Sequence, residues 1–161
     1  IEKLHFKNES FDLIFGNSIL HHVNIKDSAS ECYRVLKKGG KAVFIEPLSY
    51  NPIINYYRRI ANLVRTPNEH PFKFSDIATL KKDFKSVNHY EFQFLTLIIF
   101  SYLFLIERVH PNQDRYWKKI IREGNKYAKA FNTLFFIDKI LLNFFPILRR
   151  FCWVTVIEAI K

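Results

Sequence analysis

The sequence predicts an α/β fold: the carboxyl-terminal half of a doubly wound, mostly parallel sheet, with an antiparallel last strand and a helical insertion ahead of it. Three observations predict it. Two short, continuous apolar runs, Phe11–Asn17 and Lys41–Glu46, flank an amphipathic helical stretch, and strand, helix, strand at this separation makes a parallel crossover unit. Neither run alternates with polar residues, the pattern of strands whose sheet is covered on both faces by helices. The rest of the chain then reads helices, strand, helices, strand, the order of the second half of such a sheet.

The first run, Phe11-Asp-Leu-Ile-Phe-Gly-Asn17, is bounded by polar residues before it and by Gly16-Asn17-Ser18 after it, and reads as a buried strand. From Ile25 to Leu36, apolar residues recur at Ala29, Cys32, Tyr33 and Leu36 behind a cap at Asp27 or Ser28, and Gly39-Gly40 is expected to stop the helix. Lys41–Glu46 is the second strand, closed by Pro47, which has no N–H to donate. Helices are expected over Ile53–Val64 and Ser75–Asp83, separated by the polar connector Arg65-Thr-Pro-Asn-Glu-His-Pro71. Tyr90, Phe92 and Phe94 then alternate with His89, Glu91 and Gln93, predicting an edge strand whose aromatic face is the dry one. Helical periodicity runs from about residue 97 to 149, and the β-branched run Trp153–Ile160 is the last strand.

Composition narrows the class. At 48% hydrophobic and 17% aromatic the chain excludes disorder and supports one domain over 1–161. The net charge of +10 is concentrated in the second half, yet its basic residues cluster only in pairs such as Arg58-Arg59 and Lys118-Lys119, as on solvated helix faces, so no nucleic-acid partner is expected. Cys32 and Cys152 lack the paired spacing of a metal or redox site, which fits a reducing cytoplasm. The longest apolar run, Phe94–Ile106, falls short of the ~20 residues a membrane-crossing helix needs. The chain contains no methionine and starts at Ile1, almost directly before a strand, so its start reads as a cut inside a domain.

In a doubly wound sheet, ligands lie beyond the carboxyl ends of the strands. Those ends here present Gly16, Asn17, Ser18, His21 and His22 from the first strand, and Glu46, Pro47 and Asn51 from the second. The phrases Phe11-Asp-Leu-Ile-Phe-Gly-Asn-Ser-Ile-Leu-His-His22 and Arg34-Val-Leu-Lys-Lys-Gly-Gly40, leading into Phe44-Ile-Glu-Pro47, resemble the small-molecule class I S-adenosylmethionine-dependent methyltransferases, whose sheet is Rossmann-like. Leu4-His5-Phe6 departs from that family's Leu-Pro-Phe, and Lys38 stands where a proline is usual.

The resemblance implies S-adenosylmethionine as cofactor and methyl transfer to a small, hydrophobic or lipid-like acceptor. It places Ile1 and Glu2 beside the adenine, Asn17 near the cofactor's methionine portion, and Ser18, also a cofactor-binding candidate, with His22 at the border of the transfer site, His22 being the preferred catalytic residue. His21, Glu46, Asn51, Arg65, Glu69 and His70 are the candidate acceptor-lining residues, and the connector Arg65–Pro71 would fold over the substrate mouth. None of the four glycines forms G-x-G, so the fragment is expected to bind the cofactor poorly by itself and to be inactive alone.

No metal is expected, because His21-His22 has no further ligand at helix or turn spacing. The apolar helices of 97–149 admit two readings: core or homodimer packing, or a hydrophobic acceptor or peripheral membrane contact flanked by Lys126, Lys129, Lys139, Arg149 and Arg150. The alternative to an enzyme is a non-catalytic relative serving as an interaction or membrane-surface module. A nicotinamide-dependent oxidoreductase is disfavoured, since no tyrosine-lysine pair stands near the strands in question.

Overall fold

A computed structural model describes residues 1–66 and 69–161; Pro67 and Asn68 of the predicted connector lie outside the described residues. The chain divides into two compact units. The first comprises Ile1–Leu48, Asn68–Glu91 and Val154–Lys161, and the second Ser49–Pro67 and Phe92–Trp153.

The first unit carries a mixed four-stranded sheet in the order β1-β2-β4-β3: β1 (Phe11–Asn17), β2 (Leu36–Pro47), β3 (Ser86–Phe92) and β4 (Val154–Ile160). β1 and β2 run parallel, and β4 pairs antiparallel with β2. The predicted crossover and the antiparallel last strand are thus both present. Helix α1 (Ile25–Val35) connects β1 to β2, packing Ala29, Cys32 and Val35 into the core. Its cap is Asn24, whose Oδ1 accepts from the amides of Lys26 and Asp27, not Asp27 or Ser28 as the spacing suggested.

The helix stops earlier than the glycines predict. Leu36 is already extended and pairs with Phe11, because burying its side chain completely in the sheet outweighs one more helical turn. Gly39 and Gly40 instead form an irregularity inside β2, where the register to β1 shifts. Gly39 has φ +75°, and a Cβ on Gly40 would stand 2.9 Å from the Lys37 carbonyl and 3.1 Å from that of Asp12, so each glycine answers a local backbone need.

Two further expectations are corrected. β1 is an edge strand, and Leu13 and Phe15 remain 59% and 63% exposed, so one of its faces is not covered among the described residues. In β3 the alternation has the opposite phase: Tyr90 and Phe92 are exposed, while Glu91 is buried. The buried carboxylate is held by bonds, its Oε1 accepting from Thr155 Oγ1 at 3.0 Å and meeting His89 Nδ1 at 2.6 Å. Such pairing is what makes burial of a charged group tolerable.

Helix α1 is also tied to the segment before β1. Glu31 bonds the Arg34 guanidinium and accepts from the Leu4 amide at 2.9 Å, which together hold its carboxyl down to about 2. Arg34 in turn donates to the carbonyls of Leu4 and Phe6. Because the folded value is depressed, this contribution to stability is complete above the ordinary value of 4.5 and is lost as pH falls toward 2. A Glu31→Gln variant will therefore show a flatter acid-unfolding profile between those two pH values than the parent chain, read by circular dichroism.

The second unit is helical. α2 (Pro52–Ile60), α4 (Ile98–Leu105), α5 (Tyr116–Arg122) and α6 (Gly124–Phe144) lie in it, while α3 (Phe74–Leu80) belongs to the first unit. Its core gathers Ile54, Leu97, Phe100, Leu103, Tyr116 and Tyr127. Asp138, on α6, is 2% exposed and accepts from the amides of Phe94 and Leu95 at 2.9 and 2.7 Å, fixing the chain where it leaves β3. The far end of α6 leaves Phe136, Ile140 and Phe144 exposed. Among the described residues, no helix is long and apolar enough to cross a membrane. Cys32 and Cys152 are both buried and not joined in a disulfide, and burial pushes the Cys32 thiol up to about 11.

Candidate functional site

The site is built at the carboxyl ends of β1 and β2, where parallel neighbours deliver their following loops to the same edge. β1 ends at Asn17. Ser18 then adopts φ 56°, a left-handed conformation that turns the chain sharply; its amide donates to the Ile45 carbonyl at 2.8 Å and its Oγ bonds Asn17 Oδ1 at 3.2 Å. Both side chains are exposed at the mouth of the turn. A short helical turn, Leu20–His22, follows.

Glu46 organises this turn from the end of β2. It is fully buried, and its Oε1 accepts from the amides of Ile19 and Leu20 at 2.9 and 2.7 Å, while Oε2 meets His21 Nδ1 at 2.7 Å. The carboxylate thus satisfies two amides that the turn cannot pair itself, and it fixes the orientation of one imidazole. Gly16 completes the close fit: a Cβ there would come within 2.7 Å of the Phe44 ring.

The two histidines have different surroundings. His21 is buried at 7% exposure, whereas His22 is exposed, with the two rings stacked at a tilt 4.0 Å apart. The chain returns to them much later, where the His70 amide donates to the His21 carbonyl at 2.8 Å. This brings Glu69 to the histidine pair, and one ligand atom each from His21, His22 and Glu69 lies within 4.8 Å of the other two.

Of the predicted positions, Asn17, Ser18, His21, His22, Glu46, Glu69 and His70 fall in the first unit, and Asn51 and Arg65 in the second. Asn51 is 3% exposed and caps α2, its Oδ1 accepting from Ile53 and Ile54 while its Nδ2 donates to the Phe151 carbonyl. Ile1 is half-buried, and the Glu2 carboxylate accepts from the Asn24 amide at 2.6 Å. The sequence contains no glycine-rich loop of the G-x-G type. Spacing alone missed the amides of Ile19 and Leu20 as partners of Glu46; an acid at the end of a strand beside a strand-to-helix turn is the signal that points to them.

Residues 1–44 match the family model described as a methyltransferase domain. No curated protein matches the chain. Among solved structures, a Thermotoga maritima protein described as an S-adenosylmethionine-dependent methyltransferase and possible histamine N-methyltransferase aligns over 99% of this chain and 60% of its own, with TM-score 0.58 and 16% identity. This chain has the class I methyltransferase fold. Geranyl diphosphate C-methyltransferase from Streptomyces coelicolor aligns over 99% of this chain and 50% of its own, with TM-score 0.53 and 12% identity. Phosphoethanolamine N-methyltransferase 2 from Haemonchus contortus aligns over 98% and 34%, with TM-score 0.50 and 18% identity. The chain therefore spans between about a third and three fifths of the length of these methyltransferases.

Proposed function

We propose that the chain serves methyl transfer from S-adenosylmethionine to a small acceptor with an apolar body and a hydroxyl or amine that receives the methyl group. The family match over residues 1–44 and the methyltransferase fold support the reaction. The observation that carries the acceptor's class is in the helical unit, where a cavity of about 320 Å³ is lined by Leu97, Phe100, Trp117, Ile120, Tyr127 and Trp153. Mostly apolar cavities of this size accept small organic ligands. On its wall, Gln93 Oε1 and Thr96 Oγ1 are buried without a hydrogen-bond partner, so a ligand with an O–H or N–H donor would satisfy them.

S-adenosylmethionine supplies an electrophilic sulfonium methyl, and transfer is an in-line displacement governed by alignment. In this reading Asn17 and Ser18 border the cofactor's methionine portion, and Ile1 and Glu2 its adenine. His22, exposed on the turn after β1, is in this reading the proton-accepting residue. Glu46 and His21 keep the turn that carries His22 in one shape.

The test is titration calorimetry of the full-length protein with S-adenosylmethionine, joined to transfer of labelled methyl to a panel of apolar alcohols and amines. Trp117 and Trp153 are the only two tryptophans and both line the cavity, so acceptor binding will change intrinsic fluorescence. His22→Ala should retain cofactor binding and lose about 100-fold in kcat. Absence of cofactor binding would sink the enzyme reading and leave the non-catalytic interaction module in its place.

A further inference from the structure

We propose that His21, His22 and Glu69 form a binding site for a borderline divalent transition-metal ion, with Zn²⁺ as the expected occupant. Among the described residues they are the one group of three side chains whose ligand atoms converge, each within 4.8 Å of the others. Two bonds hold the frame in place. Glu46 engages His21 Nδ1 at 2.7 Å, and the His70 amide binds the His21 carbonyl, docking the Glu69 segment on the histidine pair.

The contact between Glu46 and His21 has a specific chemical meaning. A carboxylate accepting from Nδ1–H fixes the tautomer whose Nε2 lone pair points away from it, as outer carboxylates do behind metal-bound histidines. Glu46 is fully buried and pinned by two amides besides, so this imidazole is oriented before any ion arrives. Two imidazoles with one carboxylate form a donor set that suits Zn²⁺, whereas Ca²⁺ and Mg²⁺ favour all-oxygen sets.

The geometry requires only a local closure. Around a tetrahedral ion with bonds of about 2.0–2.1 Å, ligand atoms stand about 3.4 Å apart, and rotation of the exposed His22 and half-buried Glu69 brings the trio in while His21 stays fixed. Three protein ligands leave a fourth coordination position for an exchangeable oxygen, nitrogen or sulfur atom, and because ligation ties up the His22 lone pair, a bound ion excludes the proton-accepting role given to His22 above. Occupancy would also lock the segment at Glu69 and His70 to the turn after β1.

Metal-stripped protein titrated with ZnCl₂ by calorimetry, and with CoCl₂ by visible absorption, tests this directly. The expected result is one ion per chain, with Co²⁺ giving the intense bands of a low-coordinate site. His22→Ala and Glu69→Gln, both at positions outside the core, should each weaken binding by at least about tenfold, and Glu46→Gln by about 10- to 100-fold. His110→Ala, in the other unit, should leave it unchanged. No binding at a large excess of either ion overturns the proposal, as does stoichiometric binding that persists undiminished in both His22→Ala and Glu69→Gln.

Discussion

Replacing Glu46 with alanine will lower the unfolding free energy by about 3 kcal/mol, since charged hydrogen bonds contribute ~1.5–3 kcal/mol and orphaned buried donors cost more than that exchange returns. Three donors lose their partner at once: the amides of Ile19 and Leu20 and the ring of His21. The site has no solvent to replace them, as Glu46 is fully buried. Denaturant unfolding followed by circular dichroism measures the loss. Glu46→Gln keeps one oxygen for the two amides and should recover more than half of it. A midpoint for Glu46→Ala equal to that of the parent chain would show that the turn after β1 does not depend on this carboxylate.

Replacing Asp138 with alanine will cost about 2–3 kcal/mol for the same physical reason, two half-buried amides losing a buried charged acceptor, but the damage is confined to the start of the helical unit. Phe94 and Leu95 lie just past β3, after Gln93, and their amides have the Asp138 oxygens as partners. Amide hydrogen exchange at these two residues should accelerate in the variant before global unfolding does. Asp138→Asn retains one acceptor oxygen and should fall between the two. Unchanged exchange at Phe94 and Leu95 would contradict the assigned role.

These two carboxylates also mark how far the sequence could be read. β1 and β2 were legible because a continuous apolar run leaves few alternatives, and the meeting of their carboxyl ends at one edge was legible because the crossover rule fixes which strand ends coincide. Glu46 was visible as an acid at a strand end, but its partners were not, since backbone amides carry no sequence signal. Asp138 was invisible as a functional anchor. In α6 it reads as a polar residue on a helix, and its partners lie more than 40 positions earlier.

The misreadings have equally local causes. Alternation in β3 predicted that aromatic side chains face inward, and the structure buries Glu91 instead because Thr155 and His89 meet its oxygens. Periodicity finds the two faces of a strand but not which one is dry when bonded partners come from elsewhere in the fold. The glycine pair was read as a helix stop because glycine usually plays that part; its left-handed φ at Gly39 and the crowded carbonyls at Gly40 belong to β2. Glu69 was named among the acceptor-lining candidates, yet its approach to His21 and His22 depends on a backbone bond at His70 that spacing cannot reveal.

The enclosed thiols of Cys32 and Cys152 keep the chain chemically quiet toward alkylating probes, since both are buried, and burial also pushes the Cys32 thiol up to about 11, which leaves it little thiolate. One thiol sits in each unit. A cysteine introduced at an exposed position of each, such as Lys26→Cys and Leu63→Cys, would therefore accept a dye or spin label selectively without first removing the natural pair. Each label would then report on the unit that carries it, at Lys26 in the sheet unit and at Leu63 in the helical unit, as ligands are added.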